Sequence, residues 1–141
     1  MKVAINKCYG GFGISNEAEI EYLKLKGLKA YFYEQVKYEY KDGRNLYKKV
    51  NSSKDTFMTI TFTKDYGESF EEWPKKDSGY FYSSDIPRDD PDLIKVIEKL
   101  GKKANNQFSD LKIVEIPDGT EYIIDEYDGL EHIAEKHKTW E

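Results

Sequence analysis

The sequence predicts one α+β domain, in which a mixed, largely antiparallel sheet carries two or three helices on its face. Short runs of alternating apolar and polar residues recur along the 141 residues. Several of these runs are joined by hairpin turn signals, and only some are separated by segments with helical period. No internal repeat or low-complexity linker divides the chain. Residues 1–141 are therefore expected to share one core.

The predicted strands are separated by turn residues. Asp42-Gly43 predicts a hairpin turn, and Pro117-Asp118-Gly119 predicts a second turn that pairs the flanking strands with each other. The segment 64–79 is charged, has neither helical nor strand period, and is expected to be a long loop. The strands are expected at 2–8, 29–40, 44–50, 56–63, 80–84, 112–116 and 121–127.

Two helices are indicated by their start signals and their period. Asn16 and Glu19 have capping-box spacing, and this short helix should stop at Gly27. The strongest helical pattern follows Pro91, with apolar residues at helical spacing. Those apolar residues are Leu93, Ile97, Leu100 and Ala104.

A third helix is predicted near the end of the chain. Asp128 and Glu131 have capping-box spacing. The apolar face expected after them consists of Leu130, Ile133, Ala134 and His137.

Composition narrows the classes of partner. The net charge is −5 and the acidic residues are spread along the chain, so binding to nucleic acid is not favoured. Cys8 is the only cysteine, which excludes an intrachain disulfide and fits a reducing cytoplasm. No apolar run has the length of a signal peptide or a membrane span. We expect a cytoplasmic protein without cofactor, metal or membrane partner.

Tyrosine is unusually abundant, with 12 residues in a hydrophilic chain. A tyrosine ring can be buried while its hydroxyl stays in contact with water or a polar partner. The tyrosines therefore fit either a small sheet padded with aromatic side chains or a pocket lined with rings for a flat ligand.

A glycine-rich turn lies between the first predicted strand and the first predicted helix. Backbone N–H groups and the helix dipole favour an anion at such a position, and glycine lets the backbone approach a phosphate closely. The spacing matches neither a dinucleotide-binding fingerprint nor a Walker A loop. A plain tight turn is the alternative. The candidate ligand-binding residues here are Asn6, Tyr9, Gly10, Gly11, Phe12, Gly13 and Ser15.

Arg88 is the remaining candidate ligand-binding residue. It stands among Asp85, Asp89, Asp90 and Asp92, so it either pairs with one of them at the surface or reaches the glycine turn. In the second case its planar fork would hold a phosphate or carboxylate.

No residue is assigned a catalytic role. Cys8 has no histidine or asparagine that the sequence places beside it. His132 and His137 are five residues apart, which does not fit two zinc ligands on one helix face. Acid–base catalysis by either histidine stays open.

Three segments resemble a family of short uncharacterised phage and prophage proteins. They are INKCYGGFGIS, IPRDDPDLIKVIEKLGKKAN and KIVEIPDGTEYIIDEYDGLEHIAEKHKTW, so the resemblance covers both ends of the chain and leaves out the aromatic middle. The resemblance implies an infected bacterial host and a role against host defence. Some small phage proteins of this size bind and sequester cyclic-dinucleotide or ADP-ribose-type immune signals.

These observations lead to an expected function. We expect a non-catalytic protein that sequesters a nucleotide-like ligand and forms a homo-oligomer, with the ligand at a subunit interface. One alternative is a hydrolase or phosphodiesterase that degrades such a ligand with His132 or His137. A protein-binding inhibitor that uses the tyrosine-rich hairpin is the other.

Overall fold

A computed structural model describes residues 1–39, 44–50, 59–71, 73–74 and 78–135. Over these residues the chain forms two α-helices and nine strands. In chain order they are β1 (Lys2–Asn6), α1 (Asn16–Leu25), β2 (Tyr31–Glu39), β3 (Arg44–Lys49), β4 (Thr59–Phe62), β5 (Ser69–Phe70), β6 (Tyr80–Phe81), α2 (Pro91–Leu100), β7 (Leu111–Glu115), β8 (Tyr122–Tyr127) and β9 (Leu130–Glu135).

The α+β class is confirmed, and every strand pair described is antiparallel. The strands form three sheets, whereas one was expected. Their orders are β1-β7, β5-β3-β2-β4-β6 and β8-β9.

Helix α1 is present where it was expected, but its cap differs. The Ser15 hydroxyl accepts a hydrogen bond from the Ala18 N–H at 3.1 Å, so Ser15 is the N-cap. The predicted capping box of Asn16 and Glu19 therefore begins one residue too late. Gly27 adopts φ +76° just beyond the helix, as a C-terminal glycine should.

Helix α2 also confirms its prediction. The Asp90 carboxylate accepts a hydrogen bond from the Asp92 N–H at 2.8 Å, and Pro91 occupies the first turn. The α-helix ends at Leu100, and a 3-10 turn continues over Gly101–Ala104.

Two predictions for the last third of the chain are wrong. The turn at 117–119 does not join hairpin partners, because β7 pairs with β1, with Val114 opposite Val3. Residues 130–135 form strand β9 and not a helix. Asp128 and Gly129 have φ of +51° and +88°, the left-handed pair that a two-residue hairpin turn requires, so β9 folds back on β8.

Strands β2, β3 and β4 agree with their predictions where they are described, whereas the strand predicted at 80–84 is shorter, because β6 covers Tyr80–Phe81 and a 3-10 turn follows over Ser83–Asp85. Strands β2 and β3 are antiparallel neighbours, although their turn at Asp42-Gly43 lies outside the described residues. Of the predicted strand 56–63, residues 59–62 form β4 and 56–58 lie outside the described residues. The expected loop 64–79 contains the short strand β5.

Packed side chains, some of them partly exposed, form two regions of different chemistry. We call the first the aliphatic core; it lies among β1, α1, α2 and β7, and its members include Ala4, Ala18, Leu23, Leu93, Val96, Ile97 and Leu111. The second, the aromatic sheet, lies on β2 to β6 and contains Tyr33, Tyr47, Phe62, Tyr66, Phe70, Trp73 and Tyr80.

Candidate functional site

The glycine loop, residues 7–14, connects β1 to α1 as the sequence predicts. Asn6 precedes it and is completely buried. Its side-chain amide donates to the carbonyl oxygens of Cys8 and Gly129 at 2.7 and 2.8 Å, and its oxygen accepts from the Asp110 N–H at 2.8 Å. These bonds tie the loop to the C-terminal hairpin, so the protein itself uses the Asn6 side chain.

Protein backbone packs closely against the glycine loop. A Cβ atom at Gly10 would overlap the carbonyl oxygen of Phe108, and one at Gly129 would overlap the Gly11 nitrogen. A Cβ at Gly13 would overlap the Asn106 amide. The glycines thus permit close approach, and the groups that approach at these three positions belong to the chain, whereas the sequence had suggested a phosphate.

Gly11 differs from its neighbours. Its φ is +94°, and nothing lies within 4 Å of the position that a Cβ would take. The other two candidate residues of the loop region contrast with each other, because Tyr9 is 65% exposed whereas Ser15 is buried as the cap of α1. Because this space is open, Gly11 is the glycine of the loop that remains a candidate for contact with a ligand.

Arg88 reaches the glycine loop, and its fork holds a carboxylate of the same chain. Its guanidinium carbon lies 3.6 Å from the centroid of the Phe12 ring. The two terminal nitrogens donate to the two carboxylate oxygens of Glu131 at 2.5 and 3.0 Å. Glu131 is 3% exposed, so this is a buried bidentate pair. From the sequence, we expected Arg88 to pair with a nearby aspartate or with a ligand, and its partner in the structure is instead Glu131.

A second location presents polar and aromatic groups together. A cavity of about 240 Å³, which we call the tyrosine cleft, opens where the aliphatic core meets the aromatic sheet. One wall is α1 and the turn 106–108, and the other is β4 with the segment 80–83. The cleft is lined by Ile14, Asn16, Glu19, Thr59, Ile60, Thr61, Tyr80, Phe81, Tyr82, Ser83, Asn106, Gln107 and Phe108.

A buried carboxylate lies in this cleft. Glu19 is 8% exposed, and the hydroxyl of Thr61 donates to its Oε1 at 2.6 Å. A carboxylate is a hydrogen-bond acceptor, so Glu19 places acceptor oxygens at the wall of the cleft. Its bond to Thr61 also links α1 to β4.

Two tyrosine rings stand on the opposite wall. Tyr80 and Tyr82 have ring centroids 6.3 Å apart and nearly parallel planes, at 14°. Both are about half exposed. Partial burial, followed by the charges of Tyr82, Glu19 and Asp85, raises the pKa of Tyr80, so its hydroxyl stays protonated and can donate a hydrogen bond.

Several residues that line this cleft stand out in the sequence, but their patterns predicted secondary structure and not a binding site. The run Tyr80-Phe81-Tyr82 was assigned to a strand, and Asn16 with Glu19 to a helix cap. In both cases the residue type suits a strand or a helix as well as a ligand. The contact between α1 and β4, which brings these segments together, leaves no local pattern.

Of the residues weighed for catalysis, the two that the structure describes, Cys8 and His132, do not line the cleft. His132 lies exposed on β9, with Nε2 3.4 Å from the Asp125 carboxylate, and Cys8 is half-buried in the glycine loop. His137 lies outside the described residues. Across the described part of the chain, no three His, Cys, Asp or Glu side chains are grouped to hold a metal.

None of the described helices combines the length and the apolar character needed to cross a membrane. Comparison with protein-family models, curated proteins and solved structures gave no match.

Proposed function

We propose that this protein binds a nucleotide-like small molecule in the tyrosine cleft and releases it unchanged. One observation supports this proposal most directly. Two nearly parallel, half-exposed tyrosine rings and the buried carboxylate of Glu19 line the same cavity from opposite walls. Aromatic rings provide stacking surfaces for a base of any identity. Carboxylate and amide groups bind the hydrogen-bonding edge of a base.

The amides of Asn16, Asn106 and Gln107 extend the polar lining of the cleft. They offer both donors and acceptors, which suits a ring with mixed edges. Asn106 and Phe108 also contact the glycine loop, so the loop and the cleft share one turn. The open side of Gly11 is our candidate position for a phosphate of the same ligand.

The resemblance to phage proteins gives this binding a biological setting. We infer sequestration of a host immune signal derived from a nucleotide, either a cyclic nucleotide or an ADP-ribose-like molecule, by a cytoplasmic homo-oligomer. His132, the one of the two histidines that the structure describes, does not line the cleft, which favours binding over hydrolysis by that residue.

Calorimetric titration with a panel of cyclic nucleotides and ADP-ribose derivatives tests the proposal. Loss of a base-stacking ring costs about 1–3 kcal/mol, so Tyr82→Ala should weaken binding of the tightest ligand about fivefold or more. Tyr127→Ala is the matched control, because Tyr127 is 72% exposed and does not line the cleft. Equal losses in the two variants, or no binding by any compound, would contradict the proposal.

Heating the complex separates binding from catalysis. A ligand that returns with unchanged mass after the protein is denatured supports sequestration, and a ligand that returns altered supports the hydrolase. Native mass spectrometry of the purified protein reports the number of subunits and any ligand that co-purifies.

A further inference from the structure

A second cavity, of about 370 Å³, lies on the other side of α1, between its last turns and the ends of β2 and β3. We call it the lysine groove. Three lysines line it together with apolar side chains, among them Ile20, Leu28 and Val50. We propose that the lysine groove binds a small organic anion with an apolar body, such as a medium-chain carboxylate.

The apolar part of the groove is incompletely covered by the protein. Ile20 and Leu28 are 36% and 48% exposed. Gly27 turns the chain back after α1, and the Leu28 N–H donates to the Leu23 carbonyl oxygen at 2.8 Å, which fixes Leu28 at the mouth. Covering these side chains with an alkyl group would stabilise the complex by the hydrophobic effect.

The charges on the rim favour an anion. The described lining residues include Lys24, Lys29 and Lys49 and no acidic residue, although the whole chain carries −5. The ammonium groups of Lys29 and Lys49 lie 5.5 and 5.3 Å from the centroid of the same ring, that of Tyr31. Both cations therefore lie beside a ring that lines the groove.

One of the three lysines is already paired inside the protein. Lys49 contacts the Asp65 carboxylate at 2.7 Å, and that hydrogen bond is the main cause that raises the pKa of Lys49. Lys24 and Lys29 therefore remain the cations to engage a ligand. Lys24 is four residues after Ile20 on α1, so the two side chains share a helix face, and Leu28 beyond the helix lines the same groove.

The size of the groove fits a small molecule better than a protein partner. A volume of about 370 Å³ lies within the range of roughly 300–1,000 Å³ for small-molecule pockets. A stable protein interface covers about 800 Å² on each partner, far more than the nine residues of this groove provide. A small molecule fits better than a folded partner.

The experiment titrates isotope-labelled protein with octanoate and follows backbone amides by NMR. We expect saturable shifts at Leu28 and Val50, and affinity for 1-octanol about tenfold weaker or worse because it lacks the charge. The double variant Lys24→Gln/Lys29→Gln should weaken octanoate binding by about tenfold or more.

A matched double variant removes the same charge elsewhere. Lys95→Gln/Lys102→Gln alters two exposed lysines that do not line the groove and should leave octanoate affinity within about twofold. Equal losses in both double variants, equal affinity for 1-octanol, or no saturable shift at the groove amides would each overturn the proposal. Concentration-dependent shifts of those amides without octanoate would also overturn it, because a second copy would then cover the groove.

Discussion

The aliphatic core and the aromatic sheet bury side chains by different means. Leu93 and Ala4 are enclosed between helices and a strand pair and contribute no polar atoms from their side chains. Tyr33 is equally buried, yet its hydroxyl donates to the Gly67 carbonyl at 2.9 Å and accepts from the Tyr66 N–H at 2.8 Å. The aromatic sheet thus packs rings and also fixes the loop beyond β4.

The boundary between the two regions is not completely filled, because a cavity of about 240 Å³ lies there. Contacts between the described parts of the two regions include the Thr61–Glu19 hydrogen bond and the ring contact of Tyr22 with Phe81 at 5.9 Å. The tyrosine cleft lies at that junction.

The largest expected effects test whether the two regions unfold together. Leu93→Ala and Phe62→Ala remove fully buried side chains, and each should lower the free energy of unfolding by about 3–5 kcal/mol. Urea unfolding is followed by far-UV circular dichroism and by tryptophan fluorescence in a Trp140→Phe background, which leaves Trp73 as the single tryptophan. We expect coincident midpoints for both signals. A midpoint that moves in fluorescence alone would mean separate units.

The next effect concerns the buried ion pair. Arg88→Lys removes the bidentate fork from Glu131 and should destabilise the protein by about 1.5–3 kcal/mol in thermal or urea unfolding. Lys99→Gln is the control, because its pair with Glu21 is exposed and contributes less than about 1 kcal/mol. If Arg88→Lys keeps its stability and loses ligand affinity, Arg88 acts as the anion clamp that the sequence suggested.

Alanine substitutions at two neighbouring glycines distinguish the cost of steric overlap from the cost of backbone strain. Gly10→Ala places a methyl group against the Phe108 carbonyl and should cost about 1–3 kcal/mol. Gly11→Ala has room for its methyl group and should cost roughly 1 kcal/mol for the left-handed φ alone. Melting temperature and ligand affinity are measured on both. Unchanged affinity in folded Gly11→Ala would remove the glycine loop from the binding site.

The smallest effect appears at alkaline pH. Burial, together with a hydrogen bond to Asp90, raises the pKa of Tyr22 from 10.0 to about 12. The unfolded chain then loses this proton at lower pH than the folded protein, so the stabilisation is present below pH 10 and is lost as pH rises towards 12. Urea midpoints at pH 8 and 10.5 should fall less in Tyr22→Phe than in the parent. An equal fall would assign the alkaline loss to other groups.

The sequence predicted both α-helices, because their period and capping residues are local. The sequence pattern predicted a helix where β9 forms, because the partners that stabilise Glu131 lie far away in the chain. Glu131 points inward between Gly129 and Ile133, and its buried carboxylate accepts hydrogen bonds from Arg88, 43 residues away, and from the Asn6 N–H at 2.9 Å. An inward glutamate hides the strand alternation, so the segment resembled an amphipathic helix.

The pairing of β1 with β7 sets an order of events during synthesis. Strand β1 is translated first, yet residues 111–115, which supply its partner, emerge about 100 residues later. At about 5–20 residues per second, the ribosome needs on the order of 5–20 s to supply them. During that interval β1 exposes an unpaired edge, on which chaperones can act. A chain released before Leu111 would keep that edge and should aggregate.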